Sequence, residues 1–126
     1  MARPRVFISF QMKDRWARDF LKRNFRANSG FEFIDYSVHD PFDSSWKTQC
    51  KPRIAESHGT IVLIGPTTYE SEPVAWEITE TRVQGHPIFG IQVTDGETHQ
   101  LPDGLSPNDV VRWNFTDISS RLAAWV

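Results

Sequence analysis

One segment of the sequence combines a carboxylate with an aromatic surface: Ser71-Glu72-Pro73-Val74-Ala75-Trp76-Glu77-Ile78. Ser71 can cap a helix that begins here, which places Glu77 within the first two turns beside the indole of Trp76. Helix N-terminal amides favour a negative charge at such a position. A carboxylate next to an aromatic wall suits cleavage of a glycosidic bond, because it can stabilise an oxocarbenium-like state or bind ribose hydroxyls. Glutamate is also common in first helical turns for structural reasons alone.

The elements that must position this pair are five short apolar runs, each predicted to be a strand. They cover residues 6–10, 31–35, 60–64, 88–93 and 110–111. Uninterrupted apolar runs are typical of strands that are buried on both faces. Helical patterns separate the first four, so the sequence predicts an α/β fold with a parallel sheet covered by helices.

Four helices are expected around this sheet. Residues 14–26 carry an apolar stripe in which Trp16, Phe20 and Leu21 take part. A helix from Trp46 contains Pro52, which should kink it or confine it to a first turn. The third helix follows Ser71 and ends at Gly85, and the fourth lies at the end of the chain.

Length and composition limit the classes of function. The chain has 126 residues, 14 basic and 16 acidic, and a net charge of −2. This size predicts a single domain over residues 1–126. The charge argues against nucleic-acid binding, and no apolar run approaches the ~20 residues that span a membrane. With one cysteine, Cys50, and four scattered histidines, we expect a reduced cytoplasmic protein without a metal site.

Ligands of parallel α/β sheets bind at the carboxyl ends of the strands. There is no glycine-rich turn after the first strand, which excludes a Rossmann fingerprint or a phosphate loop. The candidate binding residues at these strand ends are Ser9, Phe10, Gln11, Asp35, Tyr36 and Ser37.

Five segments resemble, in order, those of Toll/interleukin receptor (TIR) domains. Arg5-Val6-Phe7-Ile8-Ser9-Phe10 resembles the opening strand of that family. Residues 30–35 resemble the second strand, and residues 54–64 the stretch into the third. Residues 71–78 resemble the segment with the family's Trp and catalytic Glu, and residues 85–88 the entry to the fourth strand. The likeness covers residues 5–93 and is closest to small bacterial and archaeal TIR-like proteins, including the TIR component of Thoeris antiphage systems.

The resemblance implies a flavodoxin-like three-layer sandwich whose five-stranded parallel sheet has the order 2-1-3-4-5. It implies an enzyme that cleaves NAD between nicotinamide and ribose, with NAD as the substrate and no separate cofactor. The product would be linear, cyclic or conjugated ADP-ribose. In Thoeris systems such a product is a signal that activates a separate effector protein, and TIR protomers associate with one another.

The resemblance also assigns roles to residues. Glu77 takes the place of the catalytic glutamate, which contacts the nicotinamide ribose. Phe10 and Gln11 take the positions that flank the nicotinamide. Asp35, Tyr36 and Ser37 open the loop after the second strand, which in this family often completes the site or the site of a neighbouring protomer. To these we add Trp46 as a stacking surface for a ring of the substrate, with Trp76 as a second aromatic wall.

Two other functions fit the sequence. Many TIR domains are interaction modules that only assemble with other TIR domains, although their sites lack the glutamate. Another N-glycosidic enzyme, similar to nucleoside deoxyribosyltransferases, would use Glu77 as its nucleophile.

Overall fold

Five parallel strands form one sheet in this computed structural model, which describes residues 5–26, 32–34 and 46–125, with the backbone alone at residues 26 and 32–34. The strands lie in the order β2-β1-β3-β4-β5. Their bounds are β1 Arg5–Ser9, β2 Glu32–Ile34, β3 Gly59–Ile64, β4 Ile88–Gln92 and β5 Val110–Val111. All six residues of β3 are buried, because helices cover both faces of the sheet. The α/β class and the parallel sheet expected from the sequence are therefore confirmed.

In the part of the chain that the structure describes, four α-helices cover the sheet, two on each face. Their bounds are α1 Arg15–Arg26, α2 Trp46–Glu56, α3 Glu72–Val83 and α4 Phe115–Ala123. Leu21 of α1 and Leu122 of α4 pack in one apolar cluster with Ile8 and Phe89 of the sheet. Residues of α2 and α3 pack on the opposite face, where Ile54 contacts Phe7. None of the helices in the described residues is long and apolar enough to cross a membrane.

The bounds of α3 follow from its sequence signals. The hydroxyl of Ser71 accepts a hydrogen bond from the Val74 amide at 3.2 Å, which caps the first turn. Gly85 lies just beyond the last turn with φ = 75°, a conformation that glycine adopts without steric cost. The predicted start and end of this helix are therefore confirmed. Together they determine which side chains of α3 face the sheet.

The structure rejects one of the two alternatives for α2, confinement to a first turn, while a kink at Pro52 stays a prediction; it also places Trp16 outside the apolar stripe of α1. Helix α2 continues for four residues beyond Pro52, because Cys50 and Ile54 on either side of it are buried against the sheet. The proline removes one backbone donor, and the packing outweighs that loss. In α1 the buried positions are Ala17, Leu21 and Phe25, whereas Trp16 is 52 % exposed and lies outside the stripe.

A buried polar junction joins the start of α1 to the turn after β3. The carboxylate of Asp14, which is only 3 % exposed, accepts a hydrogen bond from the Thr68 hydroxyl at 3.3 Å. The amide of Gly65 donates to the same hydroxyl at 2.8 Å. A Cβ atom at Gly65 would stand 2.5 Å from both carboxylate oxygens of Asp14. The close approach of these two segments therefore requires glycine.

We predict that Gly65→Ala lowers the free energy of unfolding by about 1–3 kcal/mol, since the added methyl group overlaps the Asp14 carboxylate. Chemical denaturation measures the change. In an Asp14→Ala background, which removes the overlapping oxygens, the same substitution should cost less. An equal cost in both backgrounds would contradict this account of the junction.

Candidate functional site

Glu77 is the sixth residue of α3, in its second turn, and its side chain has no exposed surface. The buried positions of this helix are Val74, Glu77, Ile78 and Thr81, which lie on the face turned toward the sheet. The hydroxyl of Thr81 donates to the backbone carbonyl of Glu77 at 2.8 Å and lies 2.8 Å from the hydroxyl of Thr60 on β3. The second half of α3 is thereby fixed to the central strand.

The Glu77 carboxylate is directly bonded to the first strand. The Ser9 hydroxyl donates to Glu77 Oε1 at 2.6 Å, and both side chains are fully buried. Ser9 is the last residue of β1, so this contact lies at the carboxyl end of the strand. A short hydrogen bond to a buried carboxylate holds the group in one orientation. Sequence analysis placed Ser9 among the binding residues; in the structure it holds Glu77.

Helix α2 supplies a second donor from the other side. The Cys50 thiol donates to Glu77 Oε2 across 3.7 Å and is 2 % exposed. Burial, together with the neighbouring Glu77 charge, raises the pKa of Cys50 from 9.0 to about 12. At neutral pH this group is therefore a thiol, which can donate, and it has the character of a weak nucleophile. The two oxygens of Glu77 thus each accept a bond from a different element.

Two indoles pack beside this network. Trp46, the first residue of α2, meets Trp76 of α3 edge to face, with ring centroids 5.2 Å apart and an interplanar angle of 79°. Both rings are half-buried and contact the cluster that contains Phe7 and Cys50. The predicted association of Trp46 and Trp76 with the Glu77 region agrees with this placement. Their role as walls for a substrate stays a prediction.

The side chains of Phe10 and Gln11, at the end of β1, lie in different surroundings. Side chains alternate along a strand, so Phe10 lies on the α1 side of the sheet, whereas Ser9 faces Glu77. Phe10 is fully buried in the core, with the Arg18 guanidinium 5.2 Å from its ring, so the structure does not bring it to Glu77. Gln11 is half-buried and accepts a hydrogen bond from the Thr67 hydroxyl at 2.9 Å. Asp35, Tyr36 and Ser37 lie outside the described residues.

The arrangement provides one oriented carboxylate, two donors and an aromatic side. Such a carboxylate can stabilise positive charge that develops nearby or accept hydrogen bonds from a substrate. Within the described residues, no group of three His, Cys, Asp or Glu side chains could hold a metal ion. Because Glu77 is fully enclosed, a ligand can reach it only after a local rearrangement.

The contact between Cys50 and Glu77 was not predicted from the sequence. Cys50 and Ile54 lie four residues apart on α2, and both are buried. That spacing does not reveal which side chain of α3 lies opposite. Cys50 and Glu77 are 27 residues apart in the sequence, so no local sequence pattern predicts their contact.

A family model and two solved structures identify the same kind of fold for this chain. A family model described as "Thoeris protein ThsB, TIR-like domain" matches residues 7–98. The TIR domain of the Toll-related receptor TRR-2 from the lower metazoan Hydra magnipapillata superposes with a TM-score of 0.67 at 18% identity, covering 94% of this chain and 91% of that domain. A prokaryotic SEFIR domain superposes with a TM-score of 0.51 at 18% identity, covering 96% and 88%. At these identities the two structures show the fold alone. No curated protein sequence matches.

The Cys50 thiol should make stability depend on pH in alkaline solution. Above pH 9 the unfolded thiol loses its proton, while the folded thiol keeps it to about pH 12. Unfolding then releases a proton, so the stabilising contribution is complete below pH 9 and is lost as pH rises through this window, by up to about 1.4 kcal/mol per pH unit. Denaturation curves of the unmodified chain should fall more steeply with pH than those of Cys50→Ala. Parallel curves would contradict the assignment.

Proposed function

Because the chain belongs to the TIR-like domain family of the Thoeris protein ThsB, we propose that it cleaves NAD at the bond between nicotinamide and ribose. The observation that carries the proposal is the single carboxylate of Glu77, which the Ser9 hydroxyl holds at the carboxyl end of β1. Ligands of parallel α/β sheets bind at this edge. A fixed carboxylate there is suited to a reaction whose transition state gains positive charge on a ribose.

In the proposed reaction the C–N glycosidic bond breaks, and its electron pair leaves with nicotinamide, whose pyridinium ring becomes neutral. Positive charge then develops on the ribose as an oxocarbenium-like state. The Glu77 carboxylate stabilises this charge and accepts hydrogen bonds from the ribose hydroxyls. A water molecule adds to the anomeric carbon and loses a proton, which gives ADP-ribose. Attack by a nitrogen of the adenine in the same molecule gives a cyclic product instead.

Ser9 and Cys50 act on the carboxylate and need not touch the substrate. Each donates to one oxygen of Glu77, so the group is oriented before the substrate arrives. Orientation in advance lowers the reorganisation that the transition state would otherwise require. The half-buried Trp46 and Trp76 supply aromatic surface on the side of the network where a base or nicotinamide ring would stack.

The enclosed position of Glu77 adds a requirement to this proposal. Its exposed fraction is zero, so NAD reaches the carboxylate only when the surrounding side chains move. We propose that assembly with other TIR protomers provides this opening, and that the nucleotide product then activates a separate effector protein in antiphage defence. A resting form that excludes the substrate would keep the cellular NAD pool intact.

The same burial supports a second candidate function, that of an interaction module without catalysis. A carboxylate with both oxygens engaged and no exposed surface can serve to fix α3 on the sheet. In that case the protein would act through contacts with other TIR domains. The two functions differ in one property, which is the release of nicotinamide.

We predict that the concentrated protein releases nicotinamide from NAD, and that Glu77→Gln lowers the rate at least about 100-fold, as expected when a group that stabilises transition-state charge is removed. Mass analysis of the reaction mixture identifies nicotinamide and the ADP-ribose product. The matched control is Glu72→Gln, because Glu72 is an exposed carboxylate in the first turn of the same helix.

Circular dichroism must show that Glu77→Gln remains folded. Equal rates for Glu77→Gln and the unmodified chain would exclude Glu77 as the catalytic group. If the protein releases no nicotinamide, either at high concentration or in its assembled form, the interaction module is the better explanation.

A further inference from the structure

A cavity lies on the α1 side of the sheet, apart from Glu77. Its volume is about 340 Å³, and it is lined by three aromatic residues and a short segment after β4. The lining residues are Trp16, Phe20, Trp113, Val93, Thr94 and Asp95. The cavity is at the small end of the range for organic ligands. Nothing in the proposed cleavage of NAD uses these residues.

Two of the lining residues, Trp16 and Asp95, are exposed to solvent at the cavity. Trp16 is 52 % exposed, which is a large exposed apolar area for one side chain. Within residues 5–26, 32–34 and 46–125, Trp16 has no ring or cationic partner, and Asp95 forms no ion pair or side-chain hydrogen bond. An exposed indole and an exposed carboxylate therefore border the same cavity.

The remaining walls are held in place. The Trp113 indole donates to the Val93 carbonyl at 2.7 Å, and Phe20 meets the Trp113 ring edge to face with centroids 4.9 Å apart. The loop that carries Asp95 is fixed by Arg112, whose guanidinium donates to the Glu97 carbonyl at 2.9 Å. The cavity thus exists before any ligand binds, which reduces the entropy lost on binding.

The residues that line the cavity determine which class of ligand it can bind. Aromatic faces attract cations through their quadrupole, and a nearby carboxylate adds a charge of the required sign. The Val93 carbonyl already accepts from the Trp113 indole, and the Thr94 hydroxyl lies 2.9 Å from His99 Nε2. A primary ammonium is compact and strongly hydrated, so it gains little when it leaves water for aromatic walls. A quaternary ammonium has no donors and needs only a charged, apolar enclosure.

We propose that this cavity binds a quaternary ammonium head group, with Trp16 and Trp113 as aromatic walls and Asp95 as the counter-charge. The site is independent of NAD cleavage. A trimethylammonium group on a short chain is of the size that the cavity accepts.

Choline is the probe that we would use, titrated into protein labelled with ¹⁵N at its five tryptophans. The indole resonance of Trp16 is identified by its loss in Trp16→Phe. Choline should shift the Trp16 and Trp113 indole signals in a saturable manner, whereas sodium chloride at equal ionic strength should not. The neutral analogue 3,3-dimethylbutan-1-ol has the same shape without the charge, and it should bind about three- to thirtyfold more weakly.

Two pairs of variants test the assigned residues. Trp16→Ala should weaken choline binding about three- to thirtyfold, while Tyr69→Ala, at another exposed aromatic position that does not line the cavity, should leave it unchanged. Asp95→Asn should weaken it about two- to fivefold, and Asp103→Asn, an exposed position of the same loop, should have no effect. Glu77→Gln should bind choline as the unmodified chain does, whether or not NAD is cleaved.

Three results would overturn the proposal. Equal affinity for choline and its neutral analogue would make the cavity an apolar groove without cation selectivity. Shifts of the Trp16 signal that follow protein concentration instead of choline would assign the surface to contact between copies of the chain. A complete lack of shifts on adding choline would exclude the site.

Discussion

The hydrogen bond between the Ser9 hydroxyl and the Glu77 carboxylate is the contact on which the arrangement of the candidate site depends. A carboxylate that leaves water loses solvation worth several kcal/mol, which only donors inside the protein can offset. Ser9 supplies one donor from β1, and Cys50 supplies another from α2. Both bonds form only when β1 and α2 are correctly placed against α3. The position of the Glu77 carboxylate therefore depends on the packing of the sheet and of both helices.

A buried carboxylate of this kind adds little to the net free energy of folding, because its loss of solvation offsets the bonds that it gains. Apolar side chains of similar volume usually serve as well or better in a core. The neighbours of Glu77 on the inner face of α3, Val74 and Ile78, are of that type. This is why we propose that the carboxylate and its two donors serve chemistry at the carboxyl end of β1. The enclosed geometry further indicates that such chemistry requires a rearrangement.

Much of the fold could be predicted from the sequence because its signals are local. The apolar run of β3, the cap at Ser71 and the glycine at Gly85 each act within a few residues of themselves. The errors occurred where tertiary packing prevails over a local preference. Pro52 is accommodated within α2 because its neighbours are buried, and Trp16 lies one position away from the buried stripe.

The candidate site was predictable only in part, for the same reason. Glu77 and Ser9 were identified from their positions at a helix start and a strand end. Their direct bond joins residues 68 positions apart, and the Cys50 contact depends on how α2 sits on α3. Phe10 was expected to flank the nicotinamide; strand alternation places its ring in the core on the α1 side of the sheet, opposite to Ser9, and its contact with a nucleotide stays a prediction.

The central claim is that the Glu77 carboxylate is oriented for a ribose. A crystal structure with carba-NAD, in which a methylene group replaces the ring oxygen of the nicotinamide ribose and prevents cleavage, tests it most directly. We expect an opened Trp46–Trp76 region, with Glu77 oxygens within hydrogen-bond distance of the hydroxyls on that ring and Ser9 still bonded to the carboxylate. Carba-NAD bound elsewhere, with Glu77 enclosed as before, would contradict it.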